Sequence, residues 1–196
     1  MKAFILDTLQ EARSSLDALL SNDPAIDAIA EAGRILVAAL RRGDRIFSCG
    51  NGGSMCDAMH FAEELSGCYR LDRKALAAIA ISDSSHLSCV ANDYGYEKVF
   101  SRYLEAHGRS GDCLLAVSTS GSSPNIVAAA ATAKVLGLAV IGLTGRARSP
   151  LGQMAEIDIC TPAGRFADRI QELHIKVTHI LIELVERELF PENYAE

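Results

Sequence analysis

Apolar residues recur at every third or fourth position in the N-terminal part of the chain, as Leu6, Leu9 and Leu16 illustrate. This spacing is that of one face of an α-helix. The series stops at Ser21-Asn22-Asp23-Pro24, whose residues favour the ends and starts of helices. The pattern therefore predicts two amphipathic helices between Phe4 and Leu40.

Beyond Gly43 the pattern changes to short apolar runs that alternate with helix-like segments. The apolar runs predict five strands: Arg45–Cys49, Leu76–Ile81, Cys113–Val117, Ala139–Leu143 and Ile157–Cys160. The other segments predict helices over Ser54–Ser66, Ser84–Ala91, Glu97–His107, Pro124–Leu136, Leu151–Ala155 and Asp168–Leu189. Buried strands that alternate with helices are typical of an α/β fold with a parallel sheet. We therefore expect a five-stranded parallel sheet flanked by helices in a three-layer sandwich, preceded by the N-terminal helical pair.

The chain has 196 residues, a length that accommodates one domain with a sizeable core. No segment is typical of a linker, so we expect a single domain over residues 1–196. The N-terminal helices, residues 1–43, exceed what the sheet needs for cover, and we expect them to contribute to an oligomer interface.

Apolar stretches stay well short of the roughly 20 residues of a membrane helix, and a secretory apolar core is absent. A soluble cytoplasmic protein without membrane contact is expected.

The formal net charge is −6 and the basic residues form no block, which argues against binding to nucleic acid. The six cysteines are scattered without CxxC spacing, at positions 49, 56, 68, 89, 113 and 160. Several lie in apolar runs, where a free cysteine acts as a small apolar side chain. We therefore expect reduced thiols.

Three loops follow the first three predicted strands, at residues 50–54, 82–84 and 118–123. In a parallel sheet the carboxyl ends of the strands lie at one edge, and ligands bind there, close to a switch in strand order. We therefore expect the three loops to converge on a ligand.

The loop after the third strand, Ser118-Thr119-Ser120-Gly121-Ser122-Ser123, holds five hydroxyl residues in six positions. A strand that ends in hydroxyls and glycine before a helix directs hydroxyls, backbone N–H groups and a helix N-terminus to one point, which suits a phosphate monoester. Serine and threonine are also ordinary helix caps and turn residues, but one cap needs a single hydroxyl. This hydroxyl turn therefore favours a phosphorylated small molecule as ligand.

The loop after the first strand, Gly50-Asn51-Gly52-Gly53-Ser54, is rich in glycine. It is neither a GxGxxG dinucleotide fingerprint nor a P-loop, because no GK[ST] follows, so nucleotide binding is disfavoured. Glycines allow a ligand to approach the backbone closely. A tight turn capped by Ser54 is the purely structural alternative.

Two helices contain side chains suited to acid–base chemistry or metal binding. His60 and Glu64 lie four residues apart on one face of the helix after the glycine-rich loop, and the other positions of that helix are mostly apolar or small. On the terminal helix Gln171 and His179 share a stripe, and His174 falls just off it. Such side chains suit a divalent transition metal, whereas a polar helix surface facing solvent is the structural alternative.

The segment Asn92-Asp93-Tyr94-Gly95-Tyr96 follows a predicted short helix. One interpretation is a C-terminal turn with Gly95 in a left-handed conformation. Asn92 and Asp93 could instead bind sugar hydroxyls, and both interpretations stay open.

Together these segments resemble the sugar isomerase (SIS) domain family, which has a flavodoxin-like fold, and within it the phosphoheptose isomerases. The resemblance extends over nearly the whole chain. It is most specific in Ser48-Cys49-Gly50-Asn51-Gly52-Gly53-Ser54, Asp57-Ala58-Met59-His60-Phe61-Ala62-Glu63-Glu64-Leu65, Asn92-Asp93, Ser118-Thr119-Ser120-Gly121 and Ala167-Asp168-Arg169-Ile170-Gln171-Glu172. Members of this family convert sedoheptulose 7-phosphate to D-glycero-D-manno-heptose 7-phosphate for ADP-heptose and lipopolysaccharide core synthesis.

The resemblance implies a role for particular residues. The sugar phosphate would be bound by Ser118, Thr119, Ser120 and Ser123. The sugar chain would be lined by Asn51, Gly52, Gly53, Asn92, Asp93, Asp168 and Gln171. Glu64 and His179 would be the catalytic pair that moves protons through an enediol, and one zinc ion per active site would be bound by His60, Glu64, Gln171 and His179. Two roles for Glu64 then compete, because a carboxylate bound to a metal is a weaker base.

The resemblance also implies a homotetramer with active sites at subunit interfaces, which agrees with the surplus of helices. SIS domains occur as non-catalytic modules that bind sugar phosphates in transcription regulators, and relatives act as partners of the replication initiation machinery. Such a module would need the hydroxyl turn but not the acid, base and metal ligands. Because the chain has both sets and no helix-turn-helix extension, an enzyme is favoured.

Overall fold

The structure, a computed structural model, describes residues 1–162, 164 and 166–195. Ala163, Arg165 and Glu196, which the predicted domain includes, lie outside the described residues. The strands are β1 (Ile46–Cys49), β2 (Ala78–Ala80), β3 (Cys113–Ser118), β4 (Ala139–Thr144) and β5 (Ile157–Cys160). The α-helices are α1 (Lys2–Leu20), α2 (Asp23–Arg42), α3 (Gly53–Ser66), α4 (Ser84–Tyr94), α5 (Val99–His107), α6 (Pro124–Leu136), α7 (Pro150–Met154) and α8 (Ala167–Leu189), and short 3-10 turns span Tyr96–Lys98 and Pro191–Tyr194. Within the described residues, none of the helices combines the length and the apolarity that a bilayer crossing needs.

The strands form one parallel sheet in the order β2-β1-β3-β4-β5. β1 lies between β2 and β3, with Phe47 opposite Ile79 on one side and Leu114 on the other. β3 and β4 pair over their full length. The predicted five-stranded parallel sheet is therefore confirmed.

Apolar residues of the sheet pack on helices at both faces, because successive residues of a strand point to opposite sides. In β3, Leu115 and Val117 belong to a cluster with α2, α3 and α8, whereas Leu114 and Ala116 belong to one with α4 to α7. Every residue of β3 is buried, as expected of a strand covered on both faces. The structure is the predicted three-layer sandwich.

The N-terminal helical pair is interrupted where the sequence predicts. Oδ1 of Asn22 accepts a hydrogen bond from the N–H of Ala25 at 3.2 Å and so caps α2. The helices differ in burial: α2 buries one face, whereas α1 buries only Leu19. The exposed apolar side chains of α1 are Phe4, Ile5, Leu6, Leu9, Leu16 and Leu20. α1 therefore presents an apolar surface that the described part of the chain leaves uncovered.

β2 is shorter than the predicted strand Leu76–Ile81. It lies at the edge of the sheet with β1 as its neighbour, so its pairing is limited by the four residues of β1. The N–H of Leu76 donates instead to the carbonyl oxygen of Leu65 at the end of α3, at 3.0 Å. The paired part of β2 begins only at Ala78.

α4 is longer than predicted and continues to Tyr94. Asn92 and Asp93 therefore lie in its last helical turn rather than in a loop. Gly95 follows the helix with a positive φ of 87°, but its ψ of 152° is extended. The predicted left-handed helical conformation of Gly95 is wrong, because its ψ lies outside the left-handed helical region. A 3-10 turn begins at the next residue, Tyr96.

Candidate active site

Two loops meet where the strand order reverses. From β1 the chain passes to β2 on one side, and from β2 it crosses to β3 on the other side of β1. Such a switch point opens a crevice at the carboxyl ends of the strands. Residues 50–52 after β1 and the hydroxyl turn after β3 border this crevice. The third predicted loop has a local role, because Asp83 accepts a hydrogen bond from the N–H of His86 at 2.7 Å and caps α4.

An amide pair holds the glycine-rich loop. Nδ2 of Asn51 donates to Oδ1 of Asn125 at 2.9 Å, and Nδ2 of Asn125 donates to Oδ1 of Asn51 at 2.8 Å. The hydroxyl of Tyr96 also donates to Oδ1 of Asn51, at 3.3 Å. Asn125 is buried at the start of α6, so the pair joins the loop after β1 to the helix after β3.

α3 begins directly after this loop, and no side chain caps it. Gly52 precedes the helix with a φ of 56° and a ψ of −123°, a conformation that favours glycine. A Cβ atom on Gly53 would lie 2.6 Å from Nε2 of Gln171, so the missing side chain lets α8 approach the start of α3. The alternative in which Ser54 caps the helix is therefore wrong, and among the described residues no side chain makes a capping hydrogen bond at the N-terminus of α3.

The hydroxyl turn is stabilised by its own side chains. Oγ of Ser118 accepts a hydrogen bond from the N–H of Gly121 at 3.1 Å and lies 3.3 Å from Oγ of Ser123. Oγ of Ser120 accepts a hydrogen bond from the N–H of Ser122 at 3.2 Å. Ser123 precedes α6 without capping it. Both helices that open onto the crevice therefore begin without a capping side chain.

A cavity of about 100 Å³ lies between these two loops and α8. It is lined by Asn51, Ser54, Val117, Ser118, Thr119, Ser123 and Gln171. A polar space of this size beside two helix N-termini suits an anion such as a phosphate group.

A cluster of imidazole and carboxylate groups lies where α3 and α8 pack together. The Nε2 atoms of His60 and His179 are 2.8 Å apart. Oε1 of Glu64 lies 3.5 Å from Nε2 of His60, and Oε1 of Glu63 lies 3.0 Å from Nδ1 of the same ring. We call these four residues the histidine cluster. Three of the predicted site residues, His60, Glu64 and His179, thus lie together.

Burial shifts the pKa of two groups in the histidine cluster. It lowers the pKa of His179, and the electrostatic effect of the neighbouring His60 lowers it further. It raises the pKa of Glu64, and the neighbouring carboxylate of Glu63 adds to this effect. A neutral imidazole can bind a metal or accept a proton, and a raised pKa brings a carboxylate closer to the range of a general base. The surroundings therefore suit both groups for proton transfer.

The histidine cluster also fits a divalent transition metal. Ligand atoms of His60, Glu63 and Glu64 lie within 4.8 Å of one another, and Nε2 of His179 faces that of His60. Two imidazole nitrogens and a carboxylate oxygen form a donor set found in catalytic zinc sites. In the neutral ring with its proton on Nδ1, the nitrogen that faces Oε1 of Glu63, Nε2 of His60 keeps its lone pair, as a metal ligand must.

Gln171 lies apart from the histidine cluster. Its amide lies against Gly53 and lines the cavity. The eight residues from Gln171 to His179 correspond to about 12 Å along a helix axis. Of the two roles expected for Gln171, this position supports contact with the substrate rather than with a metal.

Within the part of the chain that the structure describes, six predicted substrate-binding residues do not line the cavity: Gly52, Gly53, Asn92, Asp93, Ser120 and Asp168. Nδ2 of Asn92 donates to Oδ1 of Asp93 at 2.7 Å, and both side chains are exposed. The carboxylate of Asp168 is 61% exposed and accepts a hydrogen bond from the N–H of Arg169 at 2.8 Å. Their contacts with substrate stay a prediction.

Sequence reasoning missed two polar residues of this region. Glu63 follows His60 by three residues, a spacing that places both on one helix face, so its contact with the ring could have been found. Asn125 follows the hydroxyl turn, but its role has no local signal, because its hydrogen-bond partner Asn51 lies 74 residues earlier in the sequence.

Three buried polar side chains had no sequence signal. Within the described residues, Oδ2 of Asp57 and Oγ1 of Thr178 are buried without a hydrogen-bond partner. The ring nitrogens of His174 are buried without a hydrogen bond of good geometry, although the backbone of Thr144 interacts with the ring. Burial raises the pKa of Asp57 to about 6 and lowers the pKa of His174 to about 4. His174, which helical spacing places off the stripe of Gln171 and His179, is fully buried.

The sequence and the fold both match known proteins. Residues 9–145 match the family model of the SIS domain. The phosphoheptose isomerase of Tolumonas auensis is 54% identical over 185 residues, which cover 94% of this chain and 96% of the relative. Among solved structures, the phosphoheptose isomerase of Neisseria gonorrhoeae has a TM-score of 0.80 at 33% identity and covers 94% of this chain and 96% of its own. The enzyme of the same name from Francisella tularensis has a TM-score of 0.83 at 31% identity, with coverage of 95% and 96%.

Proposed function

The chain belongs to the SIS domain family and, within it, to the phosphoheptose isomerases, and we propose that the cavity and the histidine cluster together form its active site. The protein is an aldose–ketose isomerase that interconverts sedoheptulose 7-phosphate and D-glycero-D-manno-heptose 7-phosphate. We further propose that this reaction serves ADP-heptose and lipopolysaccharide core synthesis.

One observation supports this active site above all. The facing imidazoles of His60 and His179, 2.8 Å apart with Glu64 beside them, belong to the same two helices that border the anion-sized cavity. On α3, Gly53 precedes His60 by seven residues, which is about 10 Å along the helix axis. The two helices thus extend from a binding space for the phosphate to a set of proton-transfer groups.

The substrate is anchored at its phosphate. Ser118, Thr119, Ser120 and Ser123 bind the phosphate group at the N-terminus of α6, where backbone N–H groups and the helix dipole favour an anion. The opened sugar extends from there along α3. The residues that line it are Asn51, Gly52, Gly53, Gln171, Asn92, Asp93 and Asp168.

The chemical step moves one proton between C1 and C2 and another between O1 and O2 through an enediol. Glu64 abstracts the proton from carbon, and the neutral imidazole of His179 transfers the proton between the oxygens. A positioned acid or base typically contributes about 10²–10⁴ in rate. The negative charge of the enediolate must therefore be stabilised as well.

We propose zinc as the metal of this site, bound by His60, His179 and Glu64. Gln171 can be the fourth ligand only when its amide turns away from Gly53. Zinc in this position supplies polarisation of the substrate carbonyl and stabilisation of negative charge. When Glu64 is free of the metal it is available as the base, so ligation and proton abstraction compete for one carboxylate.

A non-catalytic module that binds sugar phosphates is less favoured. Such a module needs the cavity but has no use for a carboxylate with raised pKa beside two facing imidazoles. A relative that matches nearly the whole chain is named as a phosphoheptose isomerase, which supports the enzyme.

We also propose that residues 1–196 form a single cytoplasmic domain that assembles as a homotetramer with active sites at subunit interfaces. The exposed apolar side chains of α1 support assembly, since burial of apolar surface stabilises association. The exposure of Asn92, Asp93 and Asp168 in the single chain is consistent with a site completed by a neighbouring subunit. The net charge of −6 gives no basis for nucleic acid as a partner.

The proposed function is tested by incubating the purified protein with sedoheptulose 7-phosphate in D₂O and following the sugars by NMR. We expect an aldose phosphate with solvent deuterium at C2, because the proton on Glu64 exchanges with solvent. Unphosphorylated sedoheptulose is the control and should not react, because it lacks the anchor. Absence of an aldose product with correctly folded protein would contradict the enzyme and favour the binding module.

A further inference from the structure

Arg73 is a buried cation at the end of the helix that contains His60 and Glu64. Its side chain is 1% exposed. Its guanidinium donates to the carbonyl oxygens of Glu64 at 2.6 Å, Leu65 at 2.9 Å and Gly67 at 3.1 Å. The last carbonyls of a helix have no partner within it, and α3 has no basic residue in its last turn. Arg73 therefore caps the C-terminal end of α3 from outside the helix.

Glu186 of α8 holds this guanidinium in place. Nε of Arg73 donates to Oε1 of Glu186 at 2.6 Å, and the glutamate side chain is also 1% exposed. The hydroxyl of Tyr194 donates to Oε2 of Glu186 at 2.8 Å. Both oxygens of the carboxylate and all three nitrogens of the guanidinium therefore form hydrogen bonds, so the ion pair has a fixed geometry.

This ion pair lies beside the groups that are proposed to transfer protons. Arg73 donates to the backbone carbonyl of Glu64 itself. Glu186 follows His179 by seven residues, or about two helical turns, so both lie on the same face of α8. The segment between α3 and Arg73 also contacts this region, since the ring of Tyr69 lies 5.9 Å from that of His179.

Stability alone is a weak explanation for such a pair. Taking two charges out of water costs several kcal/mol per ion, and apolar replacements of buried pairs are often as stable. A fixed geometry between two helices is the property that an apolar pair would not supply. Here the fixed distance is the one between the backbone of Glu64 on α3 and the helix that contains His179.

We infer that Arg73 and Glu186 are positioning residues of the isomerase, whose buried ion pair fixes the end of α3 against α8 and thereby sets Glu64 relative to His179. This inference rests on the proposed function. The ion pair touches neither the hydroxyl turn nor the cavity, because Glu64 follows Gly53 by eleven residues, about 16 Å along the helix axis. Its loss should therefore slow proton transfer without weakening the binding of the phosphate.

The test compares the steady-state kinetics of Arg73→Lys with those of wild type. A lysine ammonium lacks the planar fork of a guanidinium, so it cannot engage Glu186 and the carbonyl of Glu64 together. A misplacement of about 1 Å can cost on the order of 10²-fold in rate. We expect kcat to fall by about 10- to 100-fold with KM within about threefold of wild type. The kinetic isotope effect with substrate deuterated at C1 should increase, because proton abstraction becomes slower.

Arg45→Lys is the matched control. Arg45 also joins a buried carboxylate and a carbonyl, donating to Asp112 at 2.9 Å and to the carbonyl oxygen of His107 at 2.7 Å. It precedes β1, at the edge of the sheet opposite the crevice. Its replacement should lower thermal stability but leave kcat within about twofold of wild type.

The outcomes separate the inference from the proposed function. An inactive wild type would contradict the proposed function. With an active wild type, the inference is wrong when Arg73→Lys keeps kcat, when only its KM rises, or when Arg45→Lys lowers kcat equally. If Arg73→Lys does not fold by circular dichroism, Glu186→Gln replaces it, since it is isosteric and leaves the buried guanidinium without its counter-charge. The same kinetic criteria then decide.

Discussion

His60 has a different partner at each of its ring nitrogens. The carboxylate of Glu63 lies 3.0 Å from Nδ1, while His179 and Glu64 lie beside Nε2. A carboxylate at the second nitrogen of a ligating histidine fixes its tautomer and its ring orientation. Glu63 is therefore expected to act on the metal through His60 without touching it.

Replacement of Glu63 by Gln should weaken metal binding. Removal of such an outer partner typically costs about 10- to 100-fold in metal affinity. Competition with a chromogenic chelator measures the zinc affinity of the variant. Glu105→Gln is the matched control, because Glu105 also forms an ion pair with a residue three positions away on an exposed helix face, Arg102 at 3.6 Å. Equal affinities of wild type and Glu63→Gln would contradict a role for Glu63.

His174 should make the stability of the fold depend on pH. In the unfolded chain the imidazole binds a proton near its ordinary pKa of 6.5, whereas in the folded chain burial lowers its pKa to about 4. The stabilisation of the folded state is therefore complete above pH 6.5 and is lost as the pH falls towards 4. The loss amounts to roughly 3 kcal/mol.

Urea denaturation between pH 7.5 and pH 4 measures this effect. His174→Leu should lose less stability over that range than wild type, because no buried imidazole remains to be protonated. The exposed His107 provides the control variant His107→Leu, which should follow wild type. The same pH dependence in His174→Leu and wild type would show that His174 titrates normally.

The crevice depends on hydrogen bonds that join the loop after β1 to the start of α6. Asn51 and Asn125 exchange two hydrogen bonds across it. Asn125→Ala should leave Nδ2 of Asn51 without its partner, at a cost of about 1–3 kcal/mol, while Oδ1 keeps the hydroxyl of Tyr96. Because the pair positions the substrate-binding loop and not the histidine cluster, KM should rise by about tenfold or more while kcat changes little.

Steady-state kinetics with sedoheptulose 7-phosphate test this expectation. Gln153→Ala is the control, because Gln153 makes one exposed hydrogen bond at 2.7 Å to the carbonyl of Arg148 and does not line the cavity. An unchanged KM in Asn125→Ala would mean that the loop keeps its conformation without the amide pair.

The sequence was sufficient for elements with strong periodicity. α6 and β5 have the predicted boundaries, and α3 and α8 begin one residue earlier than predicted. It was insufficient where tertiary contacts decide. β2 is shortened by the short strand beside it, and α4 extends through Asn92 and Asp93, residues that equally favour turns.

The candidate site could likewise be predicted from local spacing, but not where tertiary contacts decide. Helical spacing is enough to place His60 beside Glu64. The meeting of His60 with His179 depends on how α3 packs on α8, and the position of Gln171 over Gly53 depends on the missing Cβ. The ion pair of Arg73 joins residues that are 113 apart in the sequence, and nothing local in the chain indicates it.

For a helix of 19 residues, α1 contributes little to the core of the described chain. It buries only Leu19, while Phe4 and Leu9 are 75% and 61% exposed. Light scattering should therefore give the mass of a tetramer for wild type. The double variant Phe4→Glu and Leu9→Glu should give a smaller species with unchanged circular dichroism, because charges disfavour burial in an interface.

Val135→Glu controls for the effect of an added surface charge. Val135 is 88% exposed on α6, and its replacement should leave the mass unchanged. A monomeric wild type, or a tetramer in the double variant, would contradict assembly through α1.

The central claim is that Glu64 removes a carbon-bound proton from a sugar held by its phosphate at the hydroxyl turn. The most direct measurement is the exchange of the C2 proton of D-glycero-D-manno-heptose 7-phosphate with D₂O, in wild type and in Glu64→Gln. The Kd of the sugar phosphate is measured for the same two proteins. We predict that exchange falls by at least about 10²-fold in Glu64→Gln, with a Kd close to that of wild type. Undiminished exchange in Glu64→Gln would contradict the claim.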